Sequence, residues 1–174
     1  MKFCLVGPGI MPIPPTGWGA VERAIWYRSC ALSELGHDGE IINTPDMDEI
    51  VGECLEGDYD VIHIHYDVFY PVIERLYGKV NCPILFSSHY PYIDQKNMHP
   101  RDGYDRIFDY MLTSNEKFYN FAVSPKDYQF FLDQGFPQDR IYPLREGPLV
   151  SEFRYNEECE KPDNSLYLAK IEER

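Results

Sequence analysis

The chain has 174 residues, enough for one well-cored domain and marginal for two. Its 44% hydrophobic and 15% aromatic content excludes a disordered segment, and a formal charge of −13 opposes a surface built to track nucleic-acid phosphates or anionic lipid. No apolar run approaches the roughly 18–20 residues that span a bilayer, and the short run Phe3 to Val6 before Gly7 and Pro8 does not make a signal peptide, so a cytoplasmic setting is expected. The cysteines at 4, 30, 54, 82 and 159 are odd in number, scattered and without a CxxC pair. Reduced, mostly packed thiols are therefore expected, with neither a disulfide framework nor a zinc site.

Lys2 to Val6 (KFCLV) reads as a buried strand and Gly7 to Thr16 as a loop rich in Pro and Gly. Gly17-Trp18-Gly19-Ala20-Val21-Glu22 then opens a helix to about Leu35, with Val21, Ala24, Ile25, Cys30, Ala31, Leu32 and Leu35 as its inward face and Gly36 as its stop. Glu40 to Asn43 is a second strand, Met47 to Leu55 a helix, Asp60 to His65 a third strand and Val68 to Leu76 the helix after it. Pro83 to Ser87 makes a fourth strand, followed by a helix from about Tyr104 to Thr113 and a fifth strand from Asn120 to Val123. Ser124 caps a helix that begins at Pro125 and ends near Gln134 and Gly135. Arg140 to Leu144 is a sixth strand, placed at an edge by Pro143. Short apolar strands alternating with helices predict an α/β fold, a Rossmann-like parallel sheet with helices on both faces.

Residues 155–164 are acidic and polar and read as a linker, and Ser165 to Ala169 reads as one more buried strand. The expected organisation is one domain over 1–154, a linker over 155–164 and, over 165–174, the first strand of a second domain. A strand with nothing of its own to pair with favours a trimmed longer protein over a separately encoded half.

The chemistry concentrates where the first strand hands over to the first helix. A helix N-terminus carries unpaired N–H groups and roughly half a positive charge, which suits a phosphate. Gly17 and Gly19 put no Cβ in the way of a ligand. A dinucleotide fingerprint is the rival reading, but Glu22 stands where its third glycine belongs and the glycines lie ten residues past the strand. A glycine pair with only a turn role is the plainer alternative. His63 and His65 share one sheet face, and a two-residue spacing without a clear third ligand favours a structural role over a metal site.

The run Gly7-Pro8-Gly9 through Pro14-Pro15-Thr16-Gly17-Trp18-Gly19-Ala20-Val21-Glu22-Arg23 closely resembles the opening of family 4 glycosyltransferases, retaining enzymes of the GT-B fold. The likeness continues through Ala31-Leu32-Ser33-Glu34-Leu35-Gly36-His37, Asp60-Val61-Ile62-His63-Ile64-His65, Pro83 to His89 and Phe121-Ala122-Val123-Ser124-Pro125. Ser165 to Arg174 is similar to the opening of that family's second domain, so the resemblance runs over essentially the whole chain.

The resemblance implies the acceptor-side half of an enzyme that moves a sugar from a nucleotide-diphosphate sugar to an acceptor hydroxyl with retention. It implies no separate cofactor, and a C-terminal donor-binding domain in cis or in trans. Gly17 and Gly19 would lie against the donor diphosphate, and Lys170 stands where the second domain places a diphosphate-binding arginine. His89 would touch the donor sugar near the reacting centre, with Trp18, Glu22 and His65 on the substrate side. Without its second wall the isolated chain is expected to be nearly inactive. A Rossmann-like module that binds a glycan or a partner without catalysis remains open, since a fold hosts either.

Overall fold

The computed structural model describes residues 1–89, 104–144 and 147. Six strands form a single, wholly parallel sheet: β1 (Lys2–Val6), β2 (Asp38–Ile42), β3 (Val61–Ile64), β4 (Ile84–Phe86), β5 (Tyr119–Ala122) and β6 (Ile141–Pro143). Their order is β2-β1-β3-β4-β5-β6, so the chain steps outward once and then crosses back to build the other side. The helices are α1 (Ala20–Glu34), α2 (Met47–Glu56), α3 (Tyr70–Leu76), α4 (Tyr104–Thr113) and α5 (Pro125–Asp133). This is an open Rossmann-like α/β sheet, with Pro143 on the edge strand where its missing N–H costs no ladder bond.

Strand alternation divides the interior between the two faces. Cys4, Val6, Ile62, Ile64, Phe86 and Ala122 pack with Ile50 and Cys54 of α2, Val72, Ile73 and Leu76 of α3, Met111 of α4 and Phe131 of α5. On the other face, Leu5 pairs in register with His63, and His63 with Leu85. Helix α1 covers part of that face, where Ile25 is wholly buried and the Ser29 hydroxyl donates to the Gly39 carbonyl of β2. Among the described residues no helix is long and apolar enough to cross a membrane.

Local chemistry sets the boundaries. The Asp46 side chain caps α2 by accepting from the Asp48 and Glu49 amides, and the Ser124 hydroxyl caps α5 by accepting from Asp127. The helix predicted from Val68 is instead a 3₁₀ turn over Asp67–Phe69 followed by α3 from Tyr70. Pro71 explains the break, because proline fits only a helix's first turn. The predicted inward face of α1 also needs correction, since Ala31 is exposed and Leu35 is 73% exposed. A fifteen-residue helix is about 22 Å long, whereas a five-residue strand spans about 17 Å. Helix α1 is thus about one turn longer than the strand before it. Among the described residues, buried Cys4 and Cys54 and half-buried Cys30 and Cys82 form no disulfide. The predicted linker, the final strand and Cys159 lie outside the described residues.

Candidate active site

In an open parallel sheet, ligands sit outside the carboxyl ends of the strands where the order reverses, here between β1 and β3. A pocket of about 450 Å³ lies there, lined by Pro8, Ile10, Met11, Trp18, Gly19, Ala20, Val21, Glu22, Tyr66 and His89. Three chain segments supply it: the β1–α1 loop with the first turn of α1, the residues after β3, and those after β4.

The β1–α1 loop is held in shape by its neighbour strand. Asn43, just past β2, accepts from the Gly9 amide at 2.9 Å and donates to the Met11 carbonyl at 2.8 Å. The Arg23 guanidinium donates to the Gly17 carbonyl at 2.9 Å. These pins leave Ile10, Met11 and Trp18 presented at the rim, 64%, 39% and 53% exposed.

The N-terminus of α1 has no side-chain cap, and its first internal bond runs from the Arg23 amide to the Gly19 carbonyl. The amides of Ala20, Val21 and Glu22 are thus unused within the helix. The two glycines differ. A Cβ at Gly17 would meet nothing within 4 Å, and Gly17 lies outside the pocket lining. Gly19 has φ +155, and a Cβ there would stand 3.1 Å from Pro15 Cβ and Glu22 Oε2 and 3.2 Å from Met11 Sδ. The positive φ and this close packing within the loop favour glycine at 19. Glu22 is 5% exposed and places a carboxylate at this helix end, where the dipole favours negative charge.

Behind the pocket lies a line of imidazoles on the α1 face of the sheet. Backbone bonds from the His65 amide to the Val6 carbonyl and from the Ser87 amide to the Ile64 carbonyl set its depth. The Ser87 hydroxyl donates to the Phe121 carbonyl at 3.0 Å, so at 2.9 Å it accepts from His63 Nε2. The His63 and His65 rings lie 3.8 Å apart between centroids. His65 Nδ1 is 3.2 Å from His89 Nε2, and Arg28 Nη1 lies 3.0 Å from His65 Nδ1 and 2.9 Å from its Nε2. Burial, aided by the Arg28 and His89 charges, holds His63 far below the ordinary imidazole value. Burial holds His65 down too, with smaller contributions from His63, Arg28 and His89.

Next to this line, the Ser88 hydroxyl donates to Asp67 Oδ2 at 2.8 Å, while Asp67 Oδ1 is buried without a hydrogen-bond partner. Burial pushes the Asp67 carboxyl up, against the opposing pull of the Ser88 bond. Among the described residues no group of three or more His, Cys, Asp or Glu side chains is placed to hold a metal ion. The Arg28 guanidinium occupies the position beside His65.

Of the residues singled out by sequence, the structure brings Trp18, Gly19, Glu22 and His89 to one pocket. His65 is buried behind His89 and reaches the pocket only through it. Lys170 lies outside the described residues. Arg28 and Asn43 lie outside the quoted motifs, and Ser87 lies within the Pro83 to His89 stretch without being singled out there. Each acts across at least 32 residues of sequence, on His65, the glycine loop and the Phe121 carbonyl. No spacing rule finds them.

A Rossmann-like domain with a ligand pocket at its topological switch point is the class that this fold and site define. No family model matches the sequence, and no curated protein matches it. Among solved structures, the chain is similar to that of AviGT4, a glycosyltransferase involved in avilamycin A biosynthesis, with 20% identity and a TM-score of 0.41. The match covers 51% of this chain and 32% of that one, so it spans about a third of that protein's length.

Proposed function

We propose that this chain is the acceptor-side lobe of a retaining GT-B glycosyltransferase related to family 4. It transfers a sugar from a nucleotide-diphosphate sugar to an acceptor hydroxyl and needs no separate cofactor. The observation that carries this reading is the pocket at the switch point, which brings the unused first-turn amides of α1 and the His89 ring to one cavity. Preorganised N–H donors stabilise the charge that develops on a departing diphosphate. His89 hydrogen-bonds the donor sugar, Glu22 accepts from a sugar hydroxyl, and Trp18 supplies an apolar face to a ring.

In this reading residues 1–154 form one wall of the cleft. Residues 155–164 lead to a donor-binding lobe that begins at 165–174 and contributes cations, Lys170 among them. In the transfer the bond from the anomeric carbon to the diphosphate oxygen breaks, and the acceptor oxygen takes its place on the same face. The acceptor proton leaves with the diphosphate.

The test is turnover of nucleotide-diphosphate sugars by this chain joined to its downstream sequence or mixed with a partner lobe. Transfer is expected from the two-lobed protein and not from the isolated chain. His89→Ala should lower turnover by about 100-fold, the scale of one lost transition-state donor, with unchanged thermal unfolding. A fully active His89→Ala variant removes His89 from the reaction. Saturable binding of a glycan by a two-lobed protein that turns over no donor would favour the non-catalytic module instead.

A further inference from the structure

We propose that the rim of this pocket binds a neutral aromatic alcohol, a flat apolar ring system carrying a hydroxyl, and that Ile10, Met11 and Trp18 hold it. The ligand's role as sugar acceptor rests on the glycosyltransferase reading, whereas its binding does not.

Ile10, Met11 and Trp18 are all exposed, and all three line the one pocket. Apolar side chains scattered singly over a surface need no explanation, but several gathered at a concave site mark a binding surface. The rim is also fixed in place. Asn43 accepts from the Gly9 amide and donates to the Met11 carbonyl, so its two bonds bracket Ile10. Arg23 donates to the Gly17 carbonyl, next to Trp18. Two side chains from outside the loop thus hold apolar groups against water, and a rim ordered in advance loses little freedom when a ligand arrives. Met11 joins the rim to the helix end, since its Sδ would stand 3.2 Å from a Cβ at Gly19, the residue that opens α1.

The chemistry of the lining selects the ligand. Pro8, Ile10 and Met11 offer no strong hydrogen-bonding side chain, and a saccharide laid on them would leave hydroxyls without partners, each at a cost in affinity. Besides the Trp18 indole N–H, the polar side chains of the pocket are Glu22, Tyr66 and His89. Those are enough to orient one hydroxyl and too few to satisfy a whole saccharide alongside a donor sugar. A flat ring fits better, because the indole of Trp18 stacks on it and the flexible thioether of Met11 makes favourable contact with aromatic edges. Neutrality follows from charge. Glu22 is a buried carboxylate in this lining, the lining holds no Lys or Arg, and the chain carries −13. The α1 amides can offset an anion at the helix end, but the rim side chains cannot. A cavity of about 450 Å³ also suits a compact molecule over a long lipid chain. In the transfer the aromatic alcohol's oxygen bonds to the anomeric carbon, the bond to the diphosphate breaks with its electron pair going to the diphosphate, and the hydroxyl proton leaves with it.

The test is a titration of the isotope-labelled chain with 2-naphthol at neutral pH, following the methyl signals of Ile10 and Met11 and the Trp18 indole N–H. Saturable shifts centred on this pocket are expected, and methyl glucoside at the same concentrations should produce none. Met11→Gln and Trp18→Ser should each weaken binding by about tenfold, the scale of one apolar side chain removed from the contact. An unaltered chain without saturable shifts overturns the proposal whether or not the variants fold. So do folded variants that both keep full affinity, and shifts from methyl glucoside that match those from 2-naphthol. Broadening of the same signals by vesicles of anionic lipid, with no response to 2-naphthol, would overturn it in favour of a membrane. A two-lobed protein that glycosylates a saccharide while its rim ignores 2-naphthol would sink this inference alone. Rim binding of 2-naphthol in a two-lobed protein that turns over no nucleotide sugar would uphold the site and sink the glycosyltransferase reading alone.

Discussion

Two residues apart, His63 in β3 and His65 just past its end share a single buried environment, 3% and 1% exposed. Burial is the largest cause of the lowered values of both, so both fold as neutral rings. The sign of the pH dependence follows. The unfolded chain takes up protons near pH 6.5 and the folded chain only far below it, so the unfolded state binds more protons in between. Stability contributed by the neutral rings is full above about pH 6.5 and is lost as pH falls below it, at a slope approaching about 2.7 kcal/mol per pH unit for the pair. His63→Gln keeps an N–H for Ser87 and removes one titrating group, so the slope should drop by about half. Urea unfolding at about pH 7, 6 and 5 reads this out. An unchanged slope would mean that His63 is charged in the fold. Asp67 acts with the opposite sign. Its raised value makes the folded state the better proton binder above the ordinary carboxyl range, so its burial costs stability as pH rises.

At the scale of elements, the β1–α1 loop is a long connection kept in one shape by a residue from another strand. Asn43 uses its carbonyl and its amide on the Gly9 and Met11 backbones, bridging more than thirty positions. Asn43→Ala leaves both groups without this partner, at a cost of about 1–3 kcal/mol. The same change should loosen the pocket rim that carries Ile10, Met11 and Trp18. Faster hydrogen exchange at the Gly9 amide is the expected signature, and an exchange rate equal to that of the unaltered protein would show that the loop holds itself.

Across the whole molecule, strand order decides where the chemistry can be. The reversal between β1 and β3 opens a crevice at one end of the sheet only, and the glycine loop, His65 and His89 all emerge at that end. The charge of −13 belongs to this scale as well. A field of that sign repels anionic surfaces over roughly a Debye length of 8 Å at physiological salt. The chain should therefore stay in the supernatant when spun with vesicles rich in anionic lipid. Strong sedimentation at physiological salt would reveal a basic patch that the total charge conceals.

Periodicity and punctuation determined the elements. Every predicted strand and helix from Lys2 to Pro143 has a counterpart, and Ser124, Gly36 and Gly135 end or begin helices where their backbone chemistry requires it. These are local effects, decided within a turn or two of chain, and a sequence displays them openly. The gathering of Trp18, Gly19, Glu22 and His89 was legible only in part, through motifs lying at strand ends. The Arg28–His65–His89 line, the Asn43 pin and the burial of Glu22 came from tertiary structure alone. Each depends on strand order and register bringing side chains from distant segments within hydrogen-bond range, and no local preference encodes that distance.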